Sequence, residues 1–497
     1  MADKSLKILM ITSEAEPWVK TGGLADAVSA LSAQLSRDGH DVRIILPRYY
    51  SVDRDKLTKI DAPLGVPVGY GEEWTVLYTT TLPGTEIPVY FADHELLFGR
   101  AGIYGPTPDS AFPDNAERFN MLSRSAFQVC RLLDWIPDIL HCHDWVAGPV
   151  SLYNQTLERH TEFARTASVM TIHNLGYQGD FPAEKSSCFA VSHQEIARRF
   201  GYHHGALNFL KMGIENAEIV TTVSPTYAQE IQTAEYGFGL DGALRYRRND
   251  LFGILNGVDY SAWNPETDKL IPVNYTEKSL KRKEMIKTEL QKHFGLEVNP
   301  ALPVFGIVSR MVEQKGFGAL CGPTYGSLYN MCRDMDIQFV ILGSGESWCE
   351  QELTALAARL PNLRVHIGYS NQLSHLIEAG SDFFLMPSRY EPCGLNQMYS
   401  LKYGTLPIVR HTGGLADTVE NYNEETGEGT GFMFNDLTPV SIYNTVGWAV
   451  HTWYNKRADI EKMRKRAMKK DFSWKDSSAQ YEKIYHWALD RRLGRYP

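Results

Sequence analysis

The segment Pro387-Ser388-Arg389-Tyr390-Glu391-Pro392-Cys393-Gly394-Leu395-Asn396-Gln397 concentrates more chemistry than any other stretch of this chain. Pro392 and Gly394 predict a tight turn that carries Glu391, with a helix starting just beyond it. A carboxylate there can hold two vicinal sugar hydroxyls, and the free N–H groups of a helix start can take a phosphate. A plain capping role for Glu391 is the alternative. Ser309-Arg310-Met311-Val312-Glu313-Gln314-Lys315-Gly316 sets two cations near a strand end. Arg310 and Lys315 could neutralise a departing diphosphate without a metal, as preformed charge meeting charge that develops in a transition state. Ordinary surface charge would look the same. Lys20-Thr21-Gly22-Gly23 combines a point charge with glycines that let a backbone approach a diphosphate at a helix start. A Gly-Gly turn before a packing helix is an equal reading. His141-Cys142-His143-Asp144-Trp145 suggests a metal site, but neighbours on a strand point to opposite faces and cannot all reach one ion. A polar cluster at a strand end fits better. Thr171-Ile172-His173-Asn174 ends another strand in the same way.

Each of these segments lies just beyond a short apolar run. The runs are 7–11, 42–46, 139–142, 168–172 and 219–223 in the first half, and 304–308, 339–342, 365–367, 383–386 and 406–409 in the second. Near-continuous apolar runs rich in β-branched residues suit strands buried on both faces of a parallel sheet. Their alternation with helical stretches predicts a doubly wound α/β fold, in which ligands bind beyond the carboxyl ends of the strands. Residues 264–303 are rich in Lys, Glu, Asn and Pro, and read as a connection carrying one charged helix near 280–293. The hexapeptide Thr21-Gly22-Gly23-Leu24-Ala25-Asp26 recurs as Thr412-Gly413-Gly414-Leu415-Ala416-Asp417. After the first copy Leu24, Ala27, Val28, Leu31 and Leu35 have helical spacing, so the glycines sit where a helix begins. Near the end, Ser473-Trp474-Lys475-Asp476 has the spacing of a capping box, and Trp474, Tyr481, Ile484, Tyr485 and Ala488 form an apolar helical stripe.

A chain of 497 residues exceeds one ordinary core, so two domains are expected. The net charge of -9 argues against a general nucleic-acid or anionic-membrane binder. Seven scattered cysteines without a Cys-x-x-Cys pair suit a reducing compartment. The polar start at residues 1–7 and the short run after it predict neither a signal nor a transit peptide, and no apolar run is of membrane-spanning length. A cytoplasmic protein is expected. A dinucleotide-dependent oxidoreductase would need Gly-x-Gly-x-x-Gly; Gly343-Ser344-Gly345 begins it, but Trp348 stands at the third glycine. No phosphate-binding Gly-x-x-x-x-Gly-Lys-Ser/Thr loop occurs. The spacing shows no pair of carboxylates suited to a glycosidase-style double displacement.

Taken together, Lys20-Thr21-Gly22-Gly23-Leu24, His143-Asp144-Trp145, Thr171-Ile172-His173-Asn174-Leu175, Ile254-Leu255-Asn256-Gly257-Val258-Asp259, Ser309-Arg310 with Gln314-Lys315-Gly316, the run from Ser388 through Val419, and Phe472-Ser473-Trp474 resemble the bacterial glycogen synthases and plant starch synthases. These are retaining glucosyltransferases of the GT-B fold, and the resemblance spans the chain. It implies two Rossmann-like domains facing across a cleft: an acceptor-side domain at 1–260, a connection at 261–303, a nucleotide-sugar domain at 304–472, and a last helix at 473–497 returning to the first. It implies ADP-glucose as donor, with UDP-glucose or a sugar-nucleotide epimerase as alternatives, and a glucan extended through its terminal 4-hydroxyl. No metal or other cofactor is implied, and no nucleic acid or membrane partner. Lys20, Arg310 and Lys315 would hold the diphosphate and Glu391 the glucose hydroxyls. His173 would lie beside the anomeric carbon and Asp144 beside the sugar. Gly22, Gly23, Asp26, Asn174, Asn256, Cys393, Gly394, Leu395 and Asn396 would line the substrate site. Tyr369 would stack near the base and Tyr104 would touch the acceptor. Val146, Asn396, Ser29 and Ser32 depart from the family pattern.

Overall fold

The computed structural model describes residues 5–107, 110–324 and 326–495. All ten apolar runs form strands. The chain divides into two compact units, Met1–Gly257 with Trp474–Pro497, and Val258–Ser473.

In the first unit the large sheet runs in spatial order Leu251–Gly253, Ile219–Thr222, Ala167–Ile172, Ile139–His143, Lys7–Ile11, Asp41–Pro47, Pro88–Asp93, Gly71–Thr81 and Thr58–Lys59. The first seven are parallel; the last two, with Leu64–Val68, add an antiparallel extension. The extension is missing from the sequence reading because Gly71–Thr81 has a largely solvated, Glu- and Thr-rich face rather than an apolar run. Strand order reverses beside Lys7–Ile11, which pairs with Asp41–Pro47 on one side and Ile139–His143 on the other. Connections diverge at such a reversal and leave a crevice at the carboxyl ends.

The expected helix after the first glycine pair is Gly23–Arg37, with Leu24, Ala27, Val28, Leu31 and Leu35 buried. The last helix, Trp474–Arg492, buries Trp474, Tyr481, Ile484, Tyr485 and Ala488 within this unit. It packs against Gly23–Arg37 and the strand Ala167–Ile172. Gly257 permits its start, since a methyl there would lie 2.7 Å from Trp474.

The second unit has a six-stranded parallel sheet in the order Leu363–Ile367, Gln338–Gly343, Val304–Val308, Phe383–Met386, Leu406–Arg410, Phe432–Phe434. Its reversal lies between Val304–Val308 and Phe383–Met386. The segment expected as a connection instead belongs to this unit. Its helix, Lys281–His293, packs on Asn371–Gly380, and its lysines explain why. Lys287 Nζ lies 2.7 Å from Asp382, which also holds Arg464 at 2.6 Å. Lys283 Nζ donates to the Ala379 carbonyl and Thr405 Oγ1, both at 2.6 Å, and burial pulls its pKa well down. A Lys-rich helix is therefore seated in the core by one ion pair, at Lys287, and one hydrogen-bonded amine, at Lys283.

Two helices of the first unit, Gly148–Gln155 and Phe209–Asn216, cross so closely that a methyl on Gly148 would collide with the Phe209 carbonyl. Gly148→Ala is expected to lower unfolding free energy by about 1–3 kcal/mol in urea titration; an unchanged midpoint would contradict this packing.

Candidate functional site

In the first unit the strand Lys7–Ile11 runs into Thr12-Ser13-Glu14, and Glu14 organises the loop beyond it. Its carboxylate, 2% exposed, accepts from the Thr21 backbone N–H at 2.5 Å, Thr21 Oγ1 at 2.7 Å and Tyr104 OH at 2.6 Å. Tyr104 OH also lies 2.7 Å from Ser13 Oγ. The loop carrying Lys20, Gly22 and Gly23 is thus held from beneath. Ser29, one of the departures from the family pattern, bonds both the N–H and the carbonyl of Glu16 and fixes the loop's other end. Lys20 Nζ pairs with Asp26 at 2.7 Å, and burial raises the Asp26 pKa. Gly22 is extended at φ -164°, and a methyl on it would meet open space. Neither backbone strain nor protein packing calls for glycine there.

The neighbouring strand, Ile139–His143, ends at Asp144, whose φ of 55° with ψ of -175° is nearly reserved for glycine. Two anchors hold it. Its N–H donates to the Thr171 carbonyl at 2.9 Å, and its Oδ1 accepts the N–H groups of His173 at 2.7 Å and Asn174 at 3.3 Å. Burial pushes the Asp144 carboxyl up to about 7, against the lowering pull of those two donors. His143 Nδ1 lies 3.0 Å from His173 Nε2. Burial lowers the pKa of both imidazoles, that of His173 to about 3.

In the second unit Glu391 is 5% exposed and receives Lys315 Nζ on both oxygens, at 2.9 and 2.6 Å. Ser388 Oγ donates to the same carboxylate at 2.8 Å. Three glycines let this arrangement close. Gly316 is left-handed at φ 80°, and a methyl on it would collide with the Pro387 carbonyl. Methyls on Gly413 and Gly414 would collide with the carbonyls of Glu391 and Cys393. Arg310, exposed, donates to Gln314 Oε1 at 3.3 Å, and the Gln314 carbonyl accepts the Arg389 N–H at 2.8 Å. Arg389 pairs with Glu313 at 2.6 Å, and Arg410 donates to the Arg389 carbonyl. Four cations therefore gather at the carboxyl ends of three strands of this sheet, three of them on the connections beyond and Arg410 as the last residue of its strand. Tyr369, 77% exposed, lies just past the edge strand Leu363–Ile367.

Residues 7–246 match the family model described as starch synthase catalytic domain, and residues 290–467 match glycosyl transferases group 1. A glycogen synthase of Treponema denticola is 54% identical, covering 98% of this chain and 99% of that one. The chain belongs to the glycogen synthase and starch synthase family. A glycogen synthase 1 of Geobacter metallireducens is 45% identical over 99% of this chain and 98% of its own. The catalytic domain of starch synthase IV from Arabidopsis thaliana, solved bound to ADP and acarbose, superposes with a TM-score of 0.89. That domain is 31% identical and the match covers 98% of this chain and all of that one. The protein is accordingly a glycosyltransferase of the GT-B fold.

Within this glycosyltransferase the sequence-derived residues fall into two groups. In the first unit Lys20, Gly22, Tyr104, Asp144, His173 and Asn174 lie on loops beyond the carboxyl ends of the strands flanking the reversal or next to them, and Gly23 and Asp26 lie in the first turn of the helix Gly23–Arg37. Asn256 is buried just before the chain leaves this unit. In the second, Arg310, Lys315, Glu391, Cys393, Gly394 and Leu395 belong to the two connections at its reversal, Asn396 starts the helix that follows, and Tyr369 lies beyond the edge strand. Several side chains already have protein partners. Asp26 is taken by Lys20, and the Tyr104 hydroxyl by Glu14 and Ser13. Asn174 Oδ1 accepts the Gly176 N–H at 3.0 Å, and Asn396 Nδ2 donates to the Val308 carbonyl at 2.6 Å. These four order the loops. The sequence reading missed Glu14, Ser388 and the His143–His173 pair. Glu14 and His143 both stand at the end of a strand beside the reversal, which was the available signal.

The buried groups give stability a pH dependence of two opposite signs. His141 and His173 drop from 6.5 to about 3, so their contribution is present above 6.5 and is lost as pH falls toward 3. Asp144 rises from 3.8 to about 7, so its contribution is present below 3.8 and is lost as pH rises through 7. Asp144→Asn, which keeps the Oδ1 acceptor, is expected to raise Tm relative to the parent at pH 8 and to match it near pH 4. An equal Tm difference at both values would contradict the burial of this carboxyl.

Proposed function

We propose that this protein transfers glucose from ADP-glucose to the non-reducing end of an α-1,4-glucan, with retention of configuration. The observation that carries the reading is the Lys315–Glu391–Ser388 cluster beside Arg310. It combines fixed positive charge for a diphosphate with an oriented carboxylate for sugar hydroxyls. Glycogen synthase relatives and the ADP-bound starch synthase support the glucan and the adenine nucleotide.

In this reading Arg310, Lys315 and Lys20 stabilise the leaving ADP, Glu391 holds the donor glucose, and Tyr369 stacks near the base. His173 and Asp144 meet the transferred sugar, and Asn256 lines the substrate site. Gly22 supports a close approach of backbone to phosphate, because nothing else in its surroundings requires glycine. Both oxygens of Glu391 are engaged by Lys315, which disfavours it as a covalent nucleophile. We therefore favour front-face transfer, in which the departing phosphate oxygen accepts the proton of the incoming 4-hydroxyl. No group beyond the side chains and substrates is assigned a role. Seven buried free thiols support a cytoplasmic setting. No helix among the described residues is long and apolar enough to cross a membrane.

The direct test offers ADP-glucose and UDP-glucose separately with a maltooligosaccharide. Chain growth with nucleotide release from ADP-glucose is expected. Consumption of donor without chain growth would favour an epimerase or hydrolase. Lys315→Ala, in protein shown to be folded by its Tm, is expected to lower kcat by roughly 10²–10³. Near-normal turnover would remove Lys315 from the mechanism. Gly22→Ala is expected to leave Tm unchanged and to raise the donor KM by roughly tenfold; an unaltered KM would end the phosphate role of this loop.

A further inference from the structure

We infer that His143 sets the tautomer of His173, so that His173 offers an N–H on Nδ1 to the transferred sugar. The functional half of this inference rests on the proposed placement of His173 at the donor glucose. The tautomer itself comes from hydrogen-bond accounting.

His143 is 1% exposed. Its Nδ1 lies 3.0 Å from His173 Nε2, while its Nε2 is buried without any hydrogen-bond partner. Two neutral imidazoles share a hydrogen bond only if one nitrogen carries a proton and the other is bare. If His173 were the donor, the single proton of His143 would sit on Nε2, as a buried N–H with no acceptor. Orphaned buried N–H groups are rarer than under-used acceptors. The proton therefore sits on His143 Nδ1, which donates to His173 Nε2. The proton of His173 is then on Nδ1, and that nitrogen can donate to a hydroxyl oxygen.

The surroundings prevent an escape from this accounting. The His141 ring lies 4.1 Å from that of His143, tilted by 37°. His141 cannot turn to serve the bare nitrogen, because its own two nitrogens are engaged. Nδ1 is 2.9 Å from Tyr485 OH on the last helix, and Nε2 is 2.6 Å from Thr171 Oγ1. Thr171 Oγ1 is in turn 2.6 Å from Thr221 Oγ1. The last helix thus holds His141, His141 backs His143, and His143 holds His173. His143 is a positioning residue that acts through its neighbour.

The test uses the full-length enzyme labelled with ¹⁵N-histidine. Two-bond ¹H–¹⁵N correlation spectra report which nitrogen of each ring is protonated, and the signals of His173 are those lost in His173→Ala. A protonated Nδ1 with a bare Nε2 is expected for His173; the reverse pattern would overturn the inference. Kinetics supply the second readout. His143→Asn keeps an amide donor near the position of Nδ1, whereas His143→Leu keeps bulk without a donor. With ADP-glucose and a maltooligosaccharide, His143→Asn is expected within about threefold of the parent kcat. His143→Leu is expected to lose roughly 10–100-fold in kcat, the range carried by partners that orient a working imidazole, with donor KM changed less. Equal turnover of the two folded variants would reduce His143 to a packing residue and overturn its role. If His143→Leu does not fold, the parent spectrum and His143→Asn still decide. Near-normal turnover of His173→Ala, with the expected spectrum intact, would instead remove His173 from the sugar. The tautomer would then stand without its use.

Discussion

A buried carboxylate must be paired or hydrogen-bonded, and Glu391 finds its partner in the Lys315 ammonium. That pairing dictates much of the second unit. Lys315 and Glu391 lie on loops that leave adjacent strands, Val304–Val308 and Phe383–Met386, at the point where strand order reverses. The loops can meet only if their backbones touch. Gly316 accepts a left-handed turn against the Pro387 carbonyl, and Gly413 and Gly414 seat the next helix against the carbonyls of Glu391 and Cys393. Asn396 ties the same loop to the end of the first of those strands through the Val308 carbonyl. The ion pair, the glycines and the strand order are one constraint seen at three scales.

The repeated hexapeptide shows how far a sequence can carry such an argument. Both copies start a short-range turn into a helix, as their letters imply, yet their glycines answer opposite needs. In the first copy Gly22 is exposed, extended and clear of its surroundings. In the second, Gly413 and Gly414 are buried against neighbouring carbonyls. Local sequence specifies the helix start; tertiary contacts decide whether the missing side chain makes room for protein or for something else. The same limit applies to the charged helix at Lys281–His293. Its letters suggest a solvated link, because the partners of Lys283 and Lys287 lie far along the chain, at Ala379, Asp382 and Thr405.

The strands were legible because a parallel strand buried on both faces needs an apolar run, and such runs stand out. The antiparallel extension at 58–81 was not, since one solvated face dilutes the pattern. Among the candidate residues, the charged ones beyond strand ends were legible one by one: Lys20, Arg310, Lys315 and Glu391. Residues that act through others were not. Glu14 and Tyr104 are 90 positions apart, and His141 reaches Tyr485 across 344. No local spacing encodes such pairs; they appear only when the reversal of strand order and the return of the last helix bring them together.

The two units also differ in how they manage charge. In the second, formal charges are compensated in place: Lys315 by Glu391, Arg389 by Glu313. In the first, burial suppresses charge on the groups assigned to the sugar, keeping His143 and His173 neutral and holding Asp144 protonated up to about 7. Glu391, also assigned to the sugar, is ion-paired, and Lys20 of the first unit is assigned to the diphosphate, so these neutral groups supplement charged ones rather than replace them. Hydroxyls need directional donors and acceptors, which uncharged imidazole and carboxyl supply without attracting water or counter-ions into a dry site. A diphosphate that gains charge as the glycosidic bond breaks needs fixed cations already in position. An imidazolium at His143 or His173 would place extra positive charge beside the sugar, where an oxocarbenium-like centre would feel it as repulsion. The burial that makes these histidines costly in acid thus also keeps cationic charge with the groups assigned to the leaving nucleotide.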